Sequence, residues 1–143
     1  MKKNILLLII LFLTGCSFRN EKNYISNIMN VNLDNCSIIN SYDTHGGFLG
    51  DGDAFTKLSC KSFNISNNFH ELPIEDNVYE LLDMKQCSNN GCQNVFEKYH
   101  IPILKTGYYY FLDRKPDVES SYNFSILMYD NANKILYYYE LDT

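Results

Sequence analysis

Tryptophan is absent from this chain of 143 residues, and histidine occurs only three times. Without tryptophan, the twelve tyrosines and nine phenylalanines have to supply the aromatic part of the core. The chain also lacks the Gly-x-Ser-x-Gly elbow of serine hydrolases, a P-loop and a dinucleotide-binding fingerprint, which argues against the enzyme classes built on those motifs. After Cys16 no apolar run approaches the roughly 20 residues that a transmembrane helix needs.

The first sixteen residues have the organisation of a secretory signal peptide. Lys2 and Lys3 form a positive start, nine consecutive apolar residues run from Ile5 to Leu13, and small residues precede Cys16. A helix rises about 1.5 Å per residue, so this apolar run is too short to cross a hydrocarbon core of about 30 Å. The segment therefore predicts export rather than a permanent membrane span.

The end of this segment, Leu13-Thr14-Gly15-Cys16, resembles the lipobox of bacterial lipoproteins. The resemblance implies that the signal peptide, residues 1–15, is removed. Cys16 then becomes a lipidated amino terminus with a covalent diacylglycerol on its sulfur and an N-acyl chain such as palmitate. Acyl chains of this kind hold a protein at the cell membrane, here lipid-anchored on the extracytoplasmic side. The alternative is an ordinary secretory signal with an incidental cysteine, after which the protein diffuses away.

The mature chain is acidic. Removal of residues 1–15 leaves 128 residues and takes away two lysines but no acidic residue, so the net charge changes from −5 to −7. An acidic surface repels nucleic acid and anionic lipid headgroups. We therefore expect no nucleic-acid partner, and contact with the membrane through the lipid anchor.

The pattern of apolar residues predicts a lipidated spacer at 16–35 and a single α+β domain at 36–143. For this domain we expect one antiparallel sheet of about five strands with one or two covering helices. Alternating β-branched and aromatic residues predict the strands at 37–42, 54–60, 107–112, 121–129 and 135–141. Helices are predicted at 72–82 and around 95–99, and residues 24–29 indicate at most a turn or two.

Four cysteines remain once Cys16 is assigned to lipid. In an exported chain, Cys36, Cys60, Cys87 and Cys92 are disulfide candidates, and three connectivities are open. We favour Cys36 with Cys60, which lie symmetrically about a glycine-rich connection, and Cys87 with Cys92, which enclose a turn composition. Free thiols are the alternative.

The glycine-rich connection from Asp43 to Asp53 concentrates polar residues around His45. A histidine among Asp43, Asp51 and Asp53 has the chemistry to hold a divalent cation or another ligand, or to act as an acid–base pair. A purely structural turn is the competing interpretation, because aspartate and threonine cap turns and glycine permits unusual backbone angles.

Two tyrosine clusters, 108–110 and 137–139, lie on predicted strands. Because consecutive strand residues point to opposite faces, each cluster is expected to turn at least one ring outward, where it can stack on sugar or protein. The alternative is that helices and the N-terminal segment cover these rings. Arg114 is expected to form a surface ion pair with Asp113.

Three segments of the mature chain resemble an uncharacterised family of small Gram-positive proteins. They are the Asp-Thr-His-Gly-Gly-Phe-x-Gly-Asp-Gly run that begins at Asp43, the Tyr-Tyr-Phe-x-Asp-Arg run that ends at Arg114, and the ending from Asn123 to Thr143. The resemblance spans most of residues 36–143. It implies a single domain and carries no mechanism with it.

Together these patterns predict a membrane-anchored extracytoplasmic lipoprotein that is a non-catalytic binding or interaction module. Its partner is expected to be a protein or a glycan, and no cofactor is expected beyond the lipid on Cys16. The alternative is a metal-assisted hydrolase acting at the cell envelope, with His45, Asp43 and Asp51 as its site.

Overall fold

The computed structural model of the protein describes residues 20–46, 51–88, 91–116 and 122–143. Cys16 and the signal peptide lie outside the described residues. The helices are α1 (Glu21–Met29), α2 (Asp76–Asp83) and α3 (Val95–Tyr99). The strands are β1 (Cys36–Asp43), β2 (Gly52–Cys60), β3 (His70–Glu71), β4 (Gln86–Ser88), β5 (Gly91–Gln93), β6 (Tyr108–Asp113), β7 (Asn123–Asp130) and β8 (Ile135–Asp142).

The main sheet has six antiparallel strands in the order β1-β2-β8-β7-β6-β3, not the five that the sequence predicts. The extra strand, β3, pairs with Tyr108 and Tyr109 of β6. It is only two residues long, which is too short for an alternating pattern to predict it. Strands β4 and β5 form a separate two-stranded hairpin. The fold is nevertheless α+β, as the sequence predicts.

The described residues contain three helices rather than one or two. Helix α2 begins at Asp76, with Pro73 ahead of it and not in its first turn as predicted. Helix α3 lies where it was predicted. Asn94 and Glu97 form a capping box at its start, and His100 ends it in the left-handed conformation.

Alternate side chains of the central strand β8 enter two separate cores. Tyr137, Tyr139 and Leu141 pack on the face covered by α2 and α3. Leu136 and Tyr138 pack on the opposite face, covered by α1. All three tyrosines at 137–139 are buried, so the covered interpretation is correct for this cluster and none of its rings turns outward.

Helix α1 belongs to the second core, although it lies in the segment that was interpreted as a spacer. Ile25 and Met29 are completely buried against the sheet. Asn20 caps the helix by accepting a hydrogen bond from the Asn23 amide at 3.2 Å. The chain then leaves the helix through Asn30 in the left-handed conformation.

Both expected cysteine pairs are present. Cys36 and Cys60 are direct partners in the register of β1 and β2, and Cys87 and Cys92 are partners across the β4–β5 hairpin. Each bridge therefore joins two strands that already pair. No helix in the part of the chain that the structure describes has the length and apolar character needed to cross a membrane.

The burial of α1 predicts that Ile25→Ala destabilises the whole domain. Removing a fully buried isoleucine side chain is expected to lower the free energy of unfolding by about 2–5 kcal/mol. Denaturant unfolding of wild type and variant measures this difference. Asn27→Ala, an exposed change on the same helix, is the control and is expected to shift stability by about 0.5 kcal/mol or less. Equal effects of the two changes would contradict the packing of α1.

Candidate functional site

Two consecutive residues that follow β1, Thr44 and His45, make contacts with different aspartates. Thr44 turns toward Asp53, donating from its hydroxyl to the Asp53 carboxylate at 2.6 Å and accepting from the Asp53 amide at 2.9 Å. The His45 amide instead donates to the Asp43 carboxylate at 2.9 Å. A Cβ at Gly52 would lie 2.7 Å from the His45 backbone, so only glycine permits this close approach.

His45 lies between two carboxylates. Its Nδ1 atom is 2.7 Å from Asp43 Oδ1, and its Nε2 atom is 3.1 Å from Asp142 Oδ2. A third carboxylate, Glu140, is 4.0 Å from Nε2. The pairing of Asp43 with His45 joins two residues that the sequence singles out, whereas Glu140 and Asp142 come from the far end of the chain.

Glu140 is the most deeply buried member of this group, with 1% of its surface exposed. Its neighbours in the register, Ala54 on β2 and Ser125 on β7, are small and leave room for the carboxylate. Tyr24 of α1 donates to Glu140 at 2.8 Å, and Tyr138 donates to its other oxygen. Burial raises the pKa of Tyr138, and the charge of Glu140 raises it further, so this hydroxyl remains a donor.

Arg114 supplies the positive charge at this position. Its guanidinium lies 2.7 Å from Asp142 Oδ1 and 3.4 Å from Glu140 Oε1. It also donates to the backbone carbonyls of Phe124 and Leu141. The expected surface ion pair between Arg114 and Asp113 is therefore replaced by a bridge from the end of β6 to β8. We call Tyr24, His45, Arg114, Glu140 and Asp142 the charge network; Glu140 is its buried centre, and the other four side chains are partly exposed.

The charge network has part of the geometry of a metal site. His45, Glu140 and Asp142 each bring one ligand atom to within 4.8 Å of the others. However, Arg114 already provides both carboxylates with a positive partner. A divalent cation would have to displace that guanidinium, because two like charges so close together repel strongly.

Asp53 lies on the other face of the sheet, away from His45. It is 4% exposed, and it accepts from Lys98 Nζ at 2.6 Å and from the Tyr99 hydroxyl at 2.7 Å. Burial raises the pKa of Asp53, but hydrogen bonds from Lys98, Thr44 and Tyr99 lower it more, with a further contribution from the charge of Lys98. The pKa therefore lies below its ordinary value of 3.8.

The four aspartate and histidine candidates consequently do not converge. Asp43 and His45 meet, Asp53 pairs with α3, and Asp51 is exposed. Asp51, Asp53 and Asp142 all contribute to the lining of a cavity of about 500 Å³ at the end of β8, but His45 and Asp43 do not. The sequence offered one signal for the missed residues: Glu140 and Asp142 alternate with buried apolar residues of a strand, an unusual placement for carboxylates.

A polar cleft opens on the side of the sheet where Asp53 lies, between β1, the β4–β5 hairpin and α3. Its volume is about 460 Å³, within the range of small-molecule sites. Tyr42 forms one wall, half exposed, and its ring lies 6.1 Å from that of Tyr99. The residues that line the polar cleft are Asn40, Tyr42, Thr44, Gln86, Cys87, Gln93, Lys98, Tyr99 and His100.

Comparisons with protein-family models, with curated proteins and with solved structures found no match to this chain.

The lowered pKa of Asp53 predicts a pH-dependent effect of Asp53→Asn. An aspartate whose pKa falls on folding stabilises the fold above its unfolded pKa, and this contribution is lost as the pH falls through the folded value. At pH 7 the variant is expected to be less stable than wild type by about 1–3 kcal/mol. The difference is expected to shrink as the pH falls below 3.8.

Denaturant unfolding at a series of pH values between neutral and strongly acid measures this difference. Asp51→Asn is the matched control, since Asp51 is exposed, and its effect is expected to stay within about 0.5 kcal/mol throughout. A stability difference for Asp53→Asn that is the same at pH 7 and in strong acid would refute the assigned role of the carboxylate.

Proposed function

We propose that the protein is an extracytoplasmic lipoprotein, anchored to the cell membrane through Cys16, whose domain binds a partner without catalysis. The polar cleft is the proposed binding site. The observation that carries this proposal is the composition of the cleft: tyrosine rings and side-chain amides line an open volume of about 460 Å³. Aromatic rings with a polar end and a few converging hydrogen-bonding groups are typical of recognition sites.

The proposed location outside the cytoplasm is supported by two independent features. The Leu-Thr-Gly-Cys lipobox ending at Cys16 supports lipid attachment. The Cys36–Cys60 and Cys87–Cys92 bridges support an oxidising compartment, because disulfides persist outside the cytoplasm and are rare within it.

Binding fits the site better than catalysis, because Asp53 and Tyr99, two ionisable groups near the cleft, already have each other and Lys98 as partners within the fold. The Asp53 carboxylate is held by Lys98 and Tyr99. Burial raises the pKa of Tyr99, and the hydrogen bond to Asp53 raises it further, so the hydroxyl stays neutral. A general base or a nucleophile requires a group aimed at the substrate with a pKa near the working pH.

A metal-assisted hydrolase at the cell envelope is the second candidate. The observation in its favour is the close approach of the ligand atoms of His45, Glu140 and Asp142. The position of Arg114, which contacts both carboxylates, weighs against it. Asp51, part of the site proposed from the sequence, is not among these three ligands.

The binding proposal predicts that Tyr42→Ala weakens association of the full-length protein with isolated cell-envelope material by at least tenfold. The physical reason is the loss of the exposed ring that forms one wall of the cleft. Co-sedimentation of the protein in detergent with envelope material freed of lipid measures association, so that the acyl chains on Cys16 do not contribute to it. Tyr79→Ala is the matched control, because Tyr79 is also exposed but lies outside the cleft.

Equal binding by wild type and Tyr42→Ala would contradict the proposed site. A rise in thermal stability with Ca²⁺, Mg²⁺, Mn²⁺ or Zn²⁺, abolished in His45→Ala, would instead favour the hydrolase, because a ligand that binds only the native state stabilises it.

A further inference from the structure

We infer that the polar cleft takes an uncharged saccharide, an inference that rests on the proposed binding function and names its ligand class. Sugars present two kinds of surface, an apolar ring face of C–H groups and a rim of hydroxyls that both donate and accept hydrogen bonds. The cleft offers both kinds of contact, and the one lysine among its described lining residues, Lys98, is paired with Asp53.

The apolar match is the aromatic wall. Phe55, which is buried, stacks on Tyr99 with ring centroids 4.5 Å apart and planes 12° from parallel. Tyr42 lies beside this pair, with its ring centroid 6.5 Å from that of Phe55 and 6.1 Å from that of Tyr99. Tyr42 is 52% exposed, so about half of its surface remains accessible to a ligand. The contacts with Phe55 and Tyr99 support the Tyr42 ring, and its exposed part offers aromatic surface to a sugar ring.

The polar match is a set of amides. Asn40 donates to the Tyr42 hydroxyl at 3.1 Å, and Gln86 donates to the Tyr139 hydroxyl at 3.0 Å. Each of these contacts uses one N–H of a group that carries two donors and a carbonyl acceptor. Both amides line the cleft, so the internal bonds orient them and leave donors and acceptors for a ligand. Groups that donate and accept suit hydroxyls better than they suit a carboxylate or an ammonium.

The charge of the cleft favours a neutral ligand. Lys98 is the only lysine, arginine or acidic residue among the lining residues that the structure describes, and its ammonium lies 2.6 Å from the buried Asp53 carboxylate. Lys57 faces Asn40 across the β1–β2 pair, but its ammonium lies over the Tyr137 ring at 5.6 Å. An anionic ligand would have to compete with Asp53 for Lys98, and a cationic ligand would meet that lysine.

The experiment is a titration of the full-length protein, purified in detergent, with matched disaccharides. N,N′-diacetylchitobiose, cellobiose and maltose are neutral probes, and chitobiose without its acetyl groups is the charged counterpart of the first. Isothermal titration and NMR shift changes measure binding. We expect at least one neutral probe to bind with a Kd of about 1 mM or tighter. Tyr42→Ala and Asn40→Ala should each weaken it at least tenfold, and Tyr79→Ala should not.

Two results would overturn the saccharide assignment. One is the absence of binding by every neutral probe, and the other is equal or tighter binding of the deacetylated, charged disaccharide. If either occurs while Tyr42→Ala still abolishes association with envelope material, the binding function stands and only the ligand class fails. If the Tyr42 variant also behaves like wild type with the envelope, the proposed function fails too.

Discussion

The buried carboxylate of Glu140 is the constraint on which much of the arrangement depends. A carboxylate that loses its water is costly unless charged and hydrogen-bonding partners surround it. Here the partners come from distant parts of the chain: Tyr24 from α1, Tyr138 from β8 itself, and Arg114 from the end of β6. Satisfying one side chain therefore fastens helix α1 to the sheet and draws Arg114 across β7 to the central strand.

The same arrangement explains why the two faces of the sheet have different characters near residues 43–53. His45 joins the charge network on the α1 face, where the Arg114 guanidinium contacts the carboxylates of Glu140 and Asp142. Thr44 and Asp53 join α3 on the other face. With the charged groups occupied internally, the open volume on that second face is lined mainly by rings and amides.

The strands could be predicted well because the signal for each is local. Residues 123–130 and 135–142 are short runs rich in apolar and aromatic side chains. The Cys36–Cys60 pair followed from symmetry about a connection, and the Cys87–Cys92 pair from the turn composition between the two cysteines. Strand β3 was not predicted, because a strand of two residues is too short to show an alternating pattern. The packing of α1 against the sheet was not predicted, because the sequence of this helix is largely polar. Only the burial of Ile25 and Met29 in the structure shows it.

The site was less predictable, for a physical reason. The contact between Asp43 and His45 spans two residues, so spacing suggests it. The contact of Arg114 with Asp142 spans 28 residues and depends on how β6, β7 and β8 align. Asp53 was grouped with His45 because the two are close in sequence. In the structure they lie on opposite faces of the sheet, because Asp53 and Phe55 are two residues apart on β2 and therefore point to the same face, that of α3.

The proposed binding function at the outer surface of a membrane depends on the amino terminus, where the lipid is expected to be attached. The most direct test is mass spectrometry of the amino-terminal peptide of the protein isolated from its own cells. The account predicts a chain that begins at Cys16 and carries the mass of a diacylglyceryl group. A chain that keeps residues 1–15, or one with an unmodified amino end, would contradict it.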